Sequence, residues 1–139
     1  MKKKIFISTG EVSGDLQGSL LAKELFEESK KRSIDLEIYG LGGEKMREAG
    51  VEIIRDTTPI SAIGIWEAIP LILPMLKIQK QFIKLLIAKS PNCLILIDYM
   101  GPNISIGRKL KKKKINMPIY YYIAPQEWAW RVGNNSTTD

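Results

Sequence analysis

The sequence contains no histidine and a single cysteine, Cys93, in 139 residues. The missing imidazole removes a histidine general base, Ser-His-Asp and Cys-His nucleophile systems, and any zinc site that uses histidine. One thiol permits no internal disulfide and no Cys-x-x-Cys motif, which agrees with a reducing compartment. Long apolar runs are also scarce. The start, Met-Lys-Lys-Lys-Ile-Phe-Ile-Ser-Thr-Gly10, has only three apolar residues in a row before a loop rich in glycine and acids, so no signal peptide is expected and the cytosol is the default. Residues 60–75 are apolar apart from Glu67, but Gly64, Pro70 and Pro74 make the stretch too short and too broken for a membrane span.

What is present is ordinary for one globular domain: 45% hydrophobic and 26% charged residues. Lys plus Arg number 21 against 15 acids, for a net charge of +6. The excess is local in the sequence, because Arg108, Lys109, Lys111, Lys112, Lys113 and Lys114 follow one another with no acid between them. This segment has no interleaved aromatic residues, which argues against nucleic acid; it reads as a solvated helix face or as a site of attraction to anionic lipid headgroups.

Apolar and polar stretches alternate in a βα rhythm. Strands are expected at 5–7, 36–39, 51–54, 93–97 and 119–123, and helices at 15–32, 44–49, from about 75 to 89, and 103–113. Gly14 and Gly18 share a helix face with Leu21 and Leu25 and let that helix lie close to a sheet. Gly50 is expected to end the second helix, and Asn103 to cap the fourth. Strands separated by helices give an α/β fold, a Rossmann-like parallel sheet with helices on both faces, and ligands of such sheets bind beyond the carboxyl ends of the strands.

The loops at those ends hold the candidate residues. Gly10-Glu11-Val12-Ser13-Gly14-Asp15 does not have the spacing of a dinucleotide turn, a P-loop or a nucleophile elbow. It offers backbone N–H groups, a hydroxyl and two carboxylates at a helix start; a capped βα turn accounts for it equally well. Gly40-Leu41-Gly42-Gly43 allows close backbone approach to a ligand, or is a turn requiring glycine. Asp98 directly follows the most apolar strand, where a carboxylate acts as general base toward a hydroxyl or bonds loop amides. Beyond the last strand, Glu127 lies between aromatic residues that include Trp128 and Trp130, a composition found in sugar and lipid sites and in plain cores.

Taken in order, these motifs resemble a known family. Gly10-Glu-Val-Ser-Gly-Asp-Leu-Gln-Gly18, Gly40-Leu-Gly-Gly-Glu-Lys-Met46 with Gly50, Ile63-Gly-Ile-Trp-Glu67, Ile97-Asp-Tyr-Met-Gly-Pro-Asn103 and Tyr122-Ile-Ala-Pro-Gln-Glu-Trp-Ala-Trp130 are similar to the lipid-A-disaccharide synthases. The resemblance implies a GT-B glycosyltransferase of family 19, with two Rossmann-like domains facing a cleft. Such an enzyme moves 2,3-diacylglucosamine from UDP to the 6-hydroxyl of 2,3-diacylglucosamine 1-phosphate, inverting the sugar without metal or other cofactor. It also implies that residues 1–139 are an incomplete N-terminal, acceptor-side domain without the UDP-sugar-binding domain, inactive alone.

By position, the resemblance makes Asp98 the candidate base and Glu11 an acid that orients the acceptor or assists. Ser13, Asp15, Gly42, Asn103, Glu127 and Trp128 match substrate-binding positions. Arg108, Lys111, Lys112, Lys113 and Lys114 would face an anionic membrane, placing the protein peripherally on the inner face of the cytoplasmic membrane. Two departures stand out. Gly101-Pro102 replaces a second acid found in many relatives, and Gln126-Glu127 replaces a smaller uncharged pair, so no role of that second acid transfers. A non-catalytic module that binds acyl-sugar or anionic membrane is the alternative, and a nucleic-acid partner is not expected.

Overall fold

The computed structural model describes residues 1–57, 72–98, 100–113 and 115–123. The expected irregular stretch up to residue 71, the membrane-facing Lys114, and the candidates Glu127 and Trp128 lie outside the described residues.

Five strands form one sheet: β1 (Lys2–Ser8), β2 (Asp35–Gly42), β3 (Glu52–Asp56), β4 (Cys93–Ile97) and β5 (Ile119–Ile123). Their order is β3-β2-β1-β4-β5, and every neighbouring pair is parallel. The helices are α1 (Val12–Lys31), α2 (Glu44–Glu48), α3 (Ile72–Lys89) and α4 (Met100–Lys112). The chain builds outward from β1 to β3, then returns past β1 to place β4 on its other side. The topological switch point therefore lies between β1 and β4.

Alternate side chains of β1, β2 and β4 feed two cores, which explains why these strands carry apolar runs. Phe6, Tyr39, Leu41, Leu94 and Leu96 pack with Phe82, Ile83 and Leu86 of α3 and Ile106 and Leu110 of α4. Ile7, Ile38, Ile95 and Ile97 pack on the opposite face with Ala22 of α1, Met46 of α2 and Val51. Phe6 anchors the first core with an edge-on contact to Phe82, ring centroids 4.8 Å apart.

The close approach expected of α1 is present. A Cβ on Gly14 would collide with the Thr9 side chain, and one on Gly18 would lie 2.6 Å from Met46 Sδ and 3.5 Å from Ile97 Cδ1. Gly50 has φ +95 just beyond α2, as a helix-ending glycine does. Three helix starts differ from expectation: α3 begins at Ile72 and not at about residue 75, and the other two involve candidate site residues. α1 begins at Val12, three residues before the expected start, so Asp15 sits inside the first turn. α4 begins at Met100, so Asn103 is its fourth residue and not its N-cap. Pro74 of α3 and Pro102 of α4 fall in first turns, where the absent N–H has no helical acceptor, so neither proline stops its helix.

Candidate functional site

The carboxyl edge of the sheet is laced by polar side chains that the apolar strands deliver to one line. Ser8 ends β1, and Asn103 comes up beside it from α4 with no solvent exposure. The Ser8 hydroxyl donates to Asn103 Oδ1 at 2.8 Å. Asn103 Nδ2 donates toward Ser8 O at 3.3 Å, Ile97 O at 3.2 Å and Asp98 O at 2.7 Å. One amide thus joins the ends of β1 and β4 across the switch point.

Asp98 is half-buried at the end of β4 and has φ 45, in the left-handed region that a non-glycine residue seldom adopts. Two hydrogen bonds hold it there. Its N–H donates to Ile123 O at 2.9 Å, tying it to β5, and its carbonyl accepts from Asn103. The backbone of the candidate base is therefore fixed on both sides.

Asp15 is 4% exposed, and its carboxylate accepts three backbone N–H groups. Oδ1 takes Gly43 N at 2.7 Å and Met46 N at 3.1 Å, and Oδ2 takes Lys45 N at 3.0 Å. These donors belong to the otherwise uncapped N-terminus of α2, whose dipole also favours the negative charge. Asp15 joins the first loop to the Gly42–Gly43 turn. Asp15 and Asn103 consequently act inside the fold as positioning residues.

Glu11 is the partly buried N-cap residue of α1, but its side chain makes no capping bond. Ser13 is exposed in the first turn, and Gly42 is buried at the end of β2. Glu11 and Ser13 thus lie on the β1 loop and Asp98 on the β4 loop, on either side of the switch point. Three groups at this edge are not evident from motif spacing. Ser8 is described above, Thr57 Oγ1 donates to Thr9 O at 2.8 Å, and the Thr9 hydroxyl is buried against Gly14 with no hydrogen-bond partner among the described residues. The available signal was a hydroxyl residue at the end of β1 and just past the end of β3, before a loop.

α4 starts at the Asp98 loop and runs away from it. The segment after it returns Pro118 O to Leu94 N at 3.0 Å, at the amino end of β4. Arg108, Lys111, Lys112 and Lys113 are all exposed. They occupy the half of α4 that leads to the amino edge and do not gather at the candidate catalytic loop.

This arrangement defines a class: a Rossmann-like α/β unit with an acid-bearing carboxyl edge at the switch point. Residues 5–137 match the family model described as lipid-A-disaccharide synthetase, and the chain belongs to that family. It is 52% identical over 135 residues to the lipid-A-disaccharide synthase of Prochlorococcus marinus (strain MIT 9313), covering 97% of this chain and 34% of that protein. With the synthase of Gloeothece citriformis (strain PCC 7424) it shares 47% identity over 136 residues, 98% of this chain and 35% of the relative. The synthase of Syntrophus aciditrophicus (strain SB) is 35% identical over 135 residues. The chain spans about a third of the length of these relatives. Among solved structures, UDP-GlcNAc 2-epimerase from Neisseria meningitidis bound to UDP-GlcNAc superimposes with a TM-score of 0.50 at 13% identity, over 87% of this chain and 32% of that one. That likeness concerns the fold alone.

Proposed function

We propose that residues 1–139 form the acceptor-side part of a two-domain, inverting glycosyltransferase that makes the lipid A disaccharide. The acceptor is 2,3-diacylglucosamine 1-phosphate and the donor is UDP-2,3-diacylglucosamine. The acceptor 6-hydroxyl oxygen attacks the donor's anomeric carbon, the bond from that carbon to the UDP phosphate oxygen breaks, and UDP leaves with the electron pair. Asp98 takes the hydroxyl proton, while Glu11 and Ser13 orient the acceptor from the β1 loop. The UDP site is assigned to the part of the relatives' length that this chain does not span, and residues 1–139 alone are not expected to turn over. No histidine is required.

The observation that carries this reading is the placement of Asp98: half-buried, at the switch point, with its backbone fixed by hydrogen bonds to two neighbouring segments. The cations of α4, continued by Lys114, are proposed to meet the anionic surface of the membrane that holds the lipid acceptor. No helix among the described residues is long and apolar enough to cross a membrane.

The test is Asp98→Asn in a polypeptide that carries the remaining two thirds of the relatives' length. UDP release is expected to fall on the order of 100-fold or more with acceptor affinity retained, the signature of a lost general base. Undiminished turnover contradicts the assignment.

A further inference from the structure

Thr9 directly follows β1 and is 1% exposed, yet its hydroxyl has no hydrogen-bond partner among the described residues. A buried hydroxyl in that state costs stability and is uncommon in folded proteins. The backbone of Thr9 is fixed on both sides: its N–H donates to Leu41 O at 3.0 Å, and its carbonyl accepts from Thr57 Oγ1 at 2.8 Å. Its methyl lies 3.3 Å from the place a Cβ on Gly42 would take, and its hydroxyl 1.8 Å from the place a Cβ on Gly14 would take. Gly14 is the third residue of α1, so the hydroxyl occupies a notch in the first turn of that helix.

The same turn has unmet donors of its own. The first helical bond of α1 runs from Asp15 N to Glu11 O at 2.9 Å, so the N–H groups of Val12, Ser13 and Gly14 precede it. The N-cap Glu11 makes no side-chain capping bond to them. The neighbouring helix is different. There the Asp15 carboxylate fills the N-terminus of α2, and its charge is held by the N–H groups of Gly43, Lys45 and Met46. At α1 the positive end of a 20-residue helix dipole meets the carboxyl edge with no carboxylate of the described residues on its N–H groups.

We infer that the first turn of α1 seats a phosphate monoester, the 1-phosphate of the sugar acceptor, and that the Thr9 hydroxyl donates to it. The inference rests on the acceptor reading above and deepens it by placing one end of the sugar. Three N–H groups and one O–H match a phosphoryl group, whose oxygens accept hydrogen bonds and whose charge suits the helix dipole. The position agrees with the chemistry. C1 and C6 of a hexose flank the same ring oxygen, so a phosphate on C1 holds the 6-hydroxyl a short distance to one side. Neighbouring strands are about 4.8 Å apart, and Asp98 directly follows β4, the strand next to β1. Gly14 itself faces that strand: its Cβ would lie 3.9 Å from Cγ2 of Ile97, the residue before Asp98. A phosphate on α1 thus brings the 6-hydroxyl toward the Asp98 side of the switch point.

The test is an NMR titration of the amide-assigned chain with inorganic phosphate, with glucosamine and with glucosamine 1-phosphate. Both phosphates are expected to shift the amides of Val12, Ser13 and Gly14 saturably, the sugar phosphate at lower concentration, and glucosamine is expected to leave them in place. Thr9→Val keeps the side-chain volume and removes only the hydroxyl. Because that hydroxyl has no partner among the described residues, the urea midpoint is expected to hold or rise. Affinity for glucosamine 1-phosphate is expected to fall on the order of 10-fold in Thr9→Val and to be retained in Thr9→Ser. Unchanged affinity in Thr9→Val, or phosphate shifts that are absent or lie elsewhere in the chain, overturns the inference. Equal affinity for inorganic phosphate and glucosamine 1-phosphate overturns the assignment to the acceptor. The Asp98 reading fails separately, through undiminished turnover of Asp98→Asn, whatever the phosphates do.

Discussion

Asn103 offers a carboxamide to four groups in two segments: the Ser8 hydroxyl and carbonyl at the end of β1, and Ile97 O and Asp98 O at the end of β4. It is fully buried, so water cannot replace those partners when the side chain is removed. Asn103→Ala is therefore expected to destabilise the chain by about 2–4 kcal/mol, read as a shift of the urea midpoint. Asn103→Asp keeps the acceptor for Ser8 but sets an anion against three carbonyl oxygens, and is expected to cost at least as much. An Asn103→Ala midpoint unchanged from the parent would show that the lacing of the carboxyl edge contributes nothing. Asp15 makes the same point about legibility. Its place in the first motif is plain in the sequence, but the acceptance of N–H groups from a turn 28 residues away is a tertiary fact that spacing does not contain.

The elements themselves were largely readable, because a doubly covered strand has a continuous apolar run and a glycine or polar boundary. β4 matches its expected bounds, and the Gly14 and Gly18 face of α1 does meet the neighbouring side chains as anticipated. Starts were harder. Val12 and Met100 begin their helices ahead of the residues that look like caps, because Asp15 and Asn103 have partners in other segments. The amino end of the β1–β2 pair supplies an element-scale prediction. Tyr39 donates to Glu37 Oε2 at 2.6 Å, and this bond, with burial, pushes its phenol up to about 12. A raised pKa means that the fold favours the neutral phenol. The associated stability is present below the ordinary tyrosine value of about 10 and is lost as pH rises through about 12. Denaturant midpoints measured across this window are expected to fall with pH, and to fall less in Tyr39→Phe. Identical pH profiles for the two proteins would contradict the assignment.

For the molecule as a whole, the sequence order of charges suggested a basic helix beside the catalytic loop. The fold spreads those charges along a layer and leaves the carboxyl edge to Glu11, Asp98 and the hydroxyls of Ser8, Ser13, Thr9 and Thr57. That separation was invisible in one dimension, since it depends on α3 and α4 covering one face of the sheet while α1 and α2 cover the other. It gives the protein two distinct surfaces, the carboxyl edge proposed for the acceptor headgroup and a basic helical face. The most direct test of the central claim is an NMR titration of the amide-assigned chain with 2,3-diacylglucosamine 1-phosphate below its critical micelle concentration. Saturable shifts centred on Glu11, Ser13 and Asp98 are the expected result. Shifts confined to α3 and α4, or none at saturating ligand, would contradict an acceptor site at the switch point.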